Sequence, residues 1–200
     1  MRDTAEIALL RGFWRDRRGS AAIEFGILAP VLMLMLLGAI ELGNAVSNDR
    51  HFASAIAATG DLVARAEYLG DTSGDAGRNL ADMMDAIPHM LRPYDPSPLK
   101  LAIYSVKVSA KDPRKGKVEW VYRYNDMKSQ AQCSDYTLPS DIVAPGGSVI
   151  IVDGEYKYRS LFGDYIPGMG SAKPWSEKSY HTPRNACVDY VKGDNCISHC

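Results

Sequence analysis

The chain has 200 residues, with 23 Lys and Arg against 24 Asp and Glu, and a formal net charge of −1. This length suits one modest globular domain plus an anchor, and the near-neutral charge gives no electrostatic basis for binding nucleic acid. The chain also lacks the sequence patterns of common active sites, such as Gly-x-Ser-x-Gly, His-Glu-x-x-His or a phosphate-binding glycine loop. We therefore expect a protein that is not an enzyme.

The first predicted element is an apolar helix near the N-terminus. No charged residue occurs from Phe25 to Ile40, and Glu24 and Glu41 stand at the two ends of this segment. A helix from Glu24 to Glu41 is roughly 25 Å long, which approaches the ~30 Å hydrocarbon core of a bilayer. Pro30 inside the segment predicts a gentle kink, which membrane helices tolerate. The sequence predicts a transmembrane helix over residues 20–46.

Arginines precede this helix and set its predicted orientation. They are Arg2, Arg11, Arg15, Arg17 and Arg18. Basic residues flank the cytoplasmic end of membrane helices, so the N-terminus is expected to stay in the cytoplasm. Residues 47–200 are then an exported domain.

The helix is expected to continue out of the membrane with one small-residue face. That face comprises Val46, Ala53, Ile56, Ala57, Gly60, Val63 and Ala64, which recur at helical spacing. A second amphipathic helix is expected at about residues 76–90, with Pro88 kinking its end.

After residue 98 the spacing of apolar residues changes from about 3.6, typical of a helix, to two, which predicts strands. Residues 99–110 and 117–124 read as an antiparallel hairpin, and residues 148–159 as a third strand. Residues 133–144 are expected to be irregular or a short helix, and a short strand is expected near residues 179–182. The predicted fold class is α+β, with the exported part of the helix packed on a small antiparallel sheet.

The four cysteines, Cys133, Cys187, Cys196 and Cys200, all follow the predicted span. An even number in an exported domain predicts two disulfides, with three pairings open. We favour Cys133 with Cys187 and Cys196 with Cys200. A metal site of Cys187, Cys196, His199 and Cys200 is the less favoured alternative, because Cys-x-x-Cys is missing and an oxidising compartment disfavours thiolate ligands. We expect no metal and no cofactor.

The segment ahead of the span carries a processing motif. Arg17 and Arg18 precede Gly19, Ser20 follows it, and Glu24 stands five residues after Gly19, next to Phe25. This arrangement resembles the Gly-x-x-x-x-Glu site of type IV pilin-like precursors. The resemblance implies that a prepilin peptidase cuts between Gly19 and Ser20 and removes residues 1–19 as a cytoplasmic leader. It also implies that Glu24 pairs with the free amine of a mature N-terminus, in the same or a neighbouring subunit.

Residues 18–60 resemble the TadE-like family of minor pseudopilins in the tight-adherence (Flp) pilus system of bacteria. Residues 18–25, Pro30 and residues 40–43 carry the resemblance most specifically, and residues 138–150 and 155–162 carry it less specifically. The family implies a pilin-like protein crossing the bacterial inner membrane once, with a periplasmic or extracellular C-terminal domain. It also implies a supporting role in pilus assembly and surface attachment. The implied partners are the prepilin peptidase, other pseudopilins, pilus assembly proteins and the lipid bilayer.

Two other interpretations remain open at this point. The first is a soluble, secreted, disulfide-bonded binding domain released by ordinary signal peptidase. Residues 1–24 and 25–40 would then form the signal, cut after Ala45. The second is a plain membrane-anchored exported protein of another function. The mature N-terminus distinguishes them, because a pseudopilin begins at Ser20, a secreted domain at Val46 and a plain anchor at Met1.

Overall fold

A computed structural model describes residues 18–140, 142–162, 173–194, 196 and 200. The helices are α1 (Arg18–Ala64), α2 (Ser73–Asp85) and α3 (Ile87–Met90). The strands are β1 (Lys100–Val108), β2 (Lys115–Tyr124), β3 (Asp135–Thr137), β4 (Ser148–Tyr158) and β5 (Lys173–His181). The α+β class predicted from the change of period is confirmed.

Helix α1 forms the long axis of the protein. Its 47 residues continue through Pro30 and extend for roughly 70 Å. Its N-terminal part stands free, whereas its C-terminal part buries one face against the rest of the chain. That face comprises Glu41, Asn48, Phe52, Ala55, Ile56, Thr59, Gly60, Val63 and Ala64.

The predicted face of α1 was partly wrong. Val46 and Ala57 are exposed, whereas Phe52, Ala55 and Thr59 are buried. The prediction followed the small residues, but the large Phe52 side chain needs burial more. It packs beneath Gly154 of β4, where an added Cβ would lie 3.1 Å from the Phe52 ring and 2.2 Å from Ile56 Cδ1. The missing side chain at Gly154 thus makes room for α1.

The second predicted helix is interrupted near its end. Helix α2 buries Ala76, Leu80 and Met84, and Thr72 caps its N-terminus by accepting a hydrogen bond from the Asp75 amide. Pro88 falls in the first turn of the separate helix α3. Proline has no amide hydrogen to donate, so α2 cannot continue regularly through this position.

The five strands form one antiparallel sheet in the order β3-β2-β1-β4-β5. The β1–β2 hairpin and the third long strand, β4, confirm the period-two prediction. Strand β5 is longer than the predicted 179–182. Strand β3 lies where we expected irregular chain or a short helix. Helix α1 lies against β4 and β5 on one face, and a second buried cluster on the other face includes Met127, Tyr136 and Leu138.

The C-terminal tail packs against the chain that follows α1. The Leu69 amide donates to Asp189 O, the Asp189 amide to Glu67 O, and the Lys192 amide to Gly70 O. Trp120 Nε1 donates to Val188 O at 2.9 Å, and Val188 is buried. These bonds hold the tail against the chain that follows α1 and against Trp120 of β2.

All four cysteines are in disulfides, but the favoured pairing was wrong. The bonds join Cys133 to Cys200 and Cys187 to Cys196. The Cys196 amide donates to Asp189 Oδ1 at 3.0 Å, which places Cys196 beside Cys187. The chain end then reaches the β2 edge, where the Cys133 amide donates to Val118 O.

This pairing also bears on the cysteine metal site that was the less favoured alternative. Ligand atoms of Cys187, Asp189 and Cys196 lie within 4.8 Å of one another. The two sulfurs are bonded to each other, so neither is a thiolate ligand in this state. His199, the fourth residue of that alternative, lies outside the described residues.

Candidate functional site

The predicted processing segment, Gly19 to Phe25, occupies the exposed start of α1. The Ser20 hydroxyl donates to Glu24 Oε1 at 3.1 Å, one helical turn away. Among the described residues, and apart from the backbone of α1 itself, no heavy atom lies within 4 Å of a Cβ built on Gly19, and Phe25 is 66% exposed. Gly19, Ser20, Glu24 and Phe25 are all exposed, and of these four only Ser20 and Glu24 are shown in contact. Residues 1–17, including most of the predicted leader, lie outside the described part of the chain.

The following turns of α1 are apolar on every side. From Ile23 to Leu36, ten large apolar side chains are each 54–70% exposed: Ile23, Phe25, Ile27, Leu28, Val31, Leu32, Met33, Leu34, Met35 and Leu36. The helix is long and apolar enough to cross a membrane by length and composition, and none of its most apolar stretch is buried. In water such a surface would be very unfavourable, whereas lipid is its natural solvent. A single-pass membrane anchor fits this helix.

Glu41 lies at the point where the free part of α1 meets the rest of the protein. It is only 3% exposed. Its carboxylate accepts hydrogen bonds from the Tyr158 hydroxyl at 2.7 Å, the Leu161 amide at 3.2 Å and the Phe162 amide at 3.3 Å. We call these four residues the Glu41 clasp. Because a buried carboxylate is costly without partners, three donors explain why this position holds a glutamate.

The clasp hydroxyl belongs to an aromatic pair. The rings of Tyr158 and Trp175 stack with centroids 4.9 Å apart and an interplanar angle of 4°. Burial, together with the hydrogen bond to Glu41, raises the pKa of Tyr158 above its usual value. The hydroxyl therefore keeps its proton at neutral pH and remains a donor to the carboxylate.

A second polar link fastens α1 to β4 about two helical turns further on. The Asn48 amide nitrogen lies 3.5 Å from the Tyr156 hydroxyl, which donates to Asp95 O at 2.7 Å. Asn48 is 1% exposed. Together, the clasp and this link hold β4 antiparallel to α1 and bring residues 158–162 back to the end of the apolar helix. We call the described residues after Ala64 the head. The clasp and the second link hold the head on α1.

The clasp was missed by sequence reasoning. We predicted Glu41 only as the residue that ends the apolar segment. Tyr158 ends β4, and Leu161 and Phe162 follow shortly after it, so the contact with Glu41 spans 117 to 121 residues of chain. The sequence showed only an acidic residue at the end of the span and a strand rich in tyrosine. These two features do not indicate that Glu41 contacts Tyr158.

Comparison with known families supports the N-terminal part of this description. Residues 19–60 match the model of a family described as TadE-like protein. No curated protein and no solved structure matches the chain. The matched range starts at Gly19 and ends at Gly60, so it covers the apolar helix, Glu41 and most of the face that packs on the sheet. Over residues 19–60, this chain therefore carries a TadE-like region.

Proposed function

We propose that this protein is a membrane-anchored minor pseudopilin that supports assembly of a tight-adherence (Flp-type) pilus and attachment to surfaces. The observation that carries the proposal is one continuous helix with three consecutive parts. Gly19 and Glu24 stand at its start, a bare apolar stretch follows, and a disulfide-bonded head is fastened from Glu41 onward. The TadE-like match, over residues 19–60, includes residues of all three parts.

The proposed location is the bacterial inner membrane, crossed once. The arginines ahead of Gly19 favour a cytoplasmic N-terminus. The two disulfides favour an oxidising space on the far side, periplasmic or extracellular. Both indications give the same orientation and come from opposite ends of the chain.

Processing after Gly19 is the first proposed step. A prepilin peptidase would act as partner and leave Ser20 as the mature N-terminus. The side chains of residues 20 and 24 already lie side by side in α1. The new amine would therefore form close to the Glu24 carboxylate, which needs a cationic or hydrogen-bonding partner at membrane depth.

Other pseudopilins and pilus assembly proteins are the remaining proposed partners. A Cβ added at Gly26 or Gly38 would meet no described atom outside the backbone of α1, so another helix could approach that backbone closely there. The bilayer solvates the same surface before assembly. This role needs binding and no chemistry, and we propose no catalytic residue.

The clasp favours a retained helix over a secreted domain. Cleavage after Ala45 would separate Glu41 from the head and leave the Tyr158 hydroxyl and the Leu161 and Phe162 amides without their acceptor. A head built to bind Glu41 is better explained if the helix stays attached.

The test of processing uses a glycine pair. A peptidase that needs a small residue at the cut should reject Gly19→Val, so this variant should remain at precursor length when the cognate peptidase is co-expressed. Gly38→Val is the matched control, since its Cβ also meets nothing within 4 Å, and it should mature normally. Normal maturation of Gly19→Val would refute the proposed cut.

A further inference from the structure

The length of the apolar helix fixes where the outer membrane surface would lie. From Gly19 to Ile40 the helix extends for roughly 33 Å, close to the ~30 Å hydrocarbon core. The edge of the hydrocarbon therefore falls near Glu41. Residues held against Glu41 must then lie at the level of the lipid headgroups.

One exposed apolar side chain of the head lies at this level. Leu161 is 69% exposed, as much as the lipid-facing residues of α1. The other large apolar residues exposed outside α1, among those described, are Tyr68 at 38% and Met90 at 39%. Leu161 is thus the most exposed of them, and it lies next to the end of the span.

The position of Leu161 relative to the helix is fixed by the clasp. The amides of Leu161 and Phe162 donate to the same carboxylate oxygen, Oε2 of Glu41. The Tyr158 hydroxyl donates a hydrogen bond to the other oxygen, Oε1. Because Glu41 is part of the continuous helix α1, the depth of the helix in the bilayer also sets the depth of Leu161.

The neighbours of Leu161 have the chemistry of a membrane interface. Tyr158, which shares the Glu41 carboxylate with the Leu161 amide, stacks on Trp175, and these two residue types are enriched at membrane–water interfaces. Arg159 is exposed next to them. An arginine places a cation among lipid phosphates while its stem contacts apolar surface.

We propose that Tyr158, Arg159, Leu161, Phe162 and Trp175 form a bilayer-docking patch for anionic phospholipid. Leu161 inserts at the boundary between headgroups and acyl chains, and Arg159 binds lipid phosphate. The patch holds the head against the membrane before the subunit enters an assembly. This inference rests on α1 crossing a bilayer, which is part of the proposed function, but it does not depend on pilus assembly.

The test places a diazirine-bearing amino acid at Leu161 in the full chain, reconstituted in vesicles containing anionic phospholipid. Leu34, inside the span and 54% exposed, is the positive control. Leu62 is the matched negative control, because it is a 44% exposed leucine on the same helix, roughly 30 Å beyond Glu41. After illumination, mass spectrometry should find lipid adducts at positions 34 and 161 and none at 62.

Each other outcome overturns the inference and identifies the fault. Lipid adducts at position 34 without adducts at 161 would refute the patch and leave the anchor intact. Absence of lipid adducts at 34 would refute the span itself. Adducts from 161 to a second copy of the chain, in place of lipid, would make the surface a subunit contact.

The role of Arg159 is tested in the same vesicles. A basic side chain near an anionic surface contributes about 1 kcal/mol, so Arg159→Gln should weaken docking about fivefold and lower the lipid-adduct yield at 161. The yield in purely zwitterionic vesicles should not respond to this change. An equal yield for both chains in anionic vesicles would refute phosphate binding by Arg159.

Discussion

Replacement of Glu41 by leucine removes the acceptor on which the clasp depends. The amides of Leu161 and Phe162 and the hydroxyl of Tyr158 lose their partner together. A hydrogen bond to a charged group contributes about 1.5–3 kcal/mol. Leu161 is exposed, so the two amides regain water once the segment opens, and the three contributions should not add in full. We expect the opening of residues 159–162 to become easier by about 2 kcal/mol.

Hydrogen exchange measures this opening directly. Two kcal/mol corresponds to roughly 30-fold faster exchange at the Leu161 and Phe162 amides. The full chain in detergent micelles, followed by mass spectrometry of the peptide covering residues 159–162, gives the rates. Glu41→Gln keeps one carbonyl oxygen for the amides, so we expect only about 1 kcal/mol, or roughly fivefold.

A glutamate outside the clasp provides the control. Glu67 is exposed, and Glu67→Gln should leave the exchange of residues 159–162 unchanged. If Glu41→Leu also leaves it unchanged, Glu41 does not fasten the head to the helix. The bilayer-docking patch would then lose the contact that sets its depth.

Three further predictions concern the head. Gly154→Ala should lower the free energy of unfolding by about 1–3 kcal/mol because the added methyl group meets α1; an unchanged denaturation midpoint would contradict this packing. Serine replacement of the Cys133–Cys200 pair, 67 residues apart, should cost about 4 kcal/mol, against about 2.5 kcal/mol for Cys187–Cys196, which are 9 apart. The reverse order in urea titrations would be inconsistent with the chain-entropy argument. Burial lowers the pKa of His181 from its ordinary value of 6.5, although Asp61 opposes this, so the unfolded chain binds the proton more readily. The head should therefore lose stability as the pH falls below about 6.5. In the His181→Gln variant the melting temperature should depend less on pH over that range. An equally steep decline in the variant would exclude His181 as the cause.

The spacing of apolar residues predicted the longer helix and strands, because burial of one face of each element sets that spacing. The uncharged run from Phe25, the period of two in β1 and β2, and the apolar core of β4 are repeated signals, and the structure has a helix or strand at each. Strand β5 was underestimated because Pro174 and several polar residues hide its pattern. It forms at the edge of the sheet by pairing with β4, and that pairing is a tertiary property.

The contacts that organise the candidate site are long-range, which is why sequence reasoning did not reach them. Cys200 pairs with Cys133 across 67 residues, and the spacing between cysteines carries no information on that pairing. Glu41 finds Tyr158 because α1 and β4 run antiparallel over several turns. Both cases depend on the path of the chain between the partners, which no local pattern encodes.

The N-terminus of the mature protein tests the central claim most directly. The full chain should be produced together with its cognate peptidase, recovered from the membrane fraction and sequenced from its first residue. The account predicts Ser20, with the apolar helix and the head retained in one chain. A first residue of Met1 would mean a plain anchor, and Val46 would mean a secreted domain; either would contradict the pseudopilin proposal.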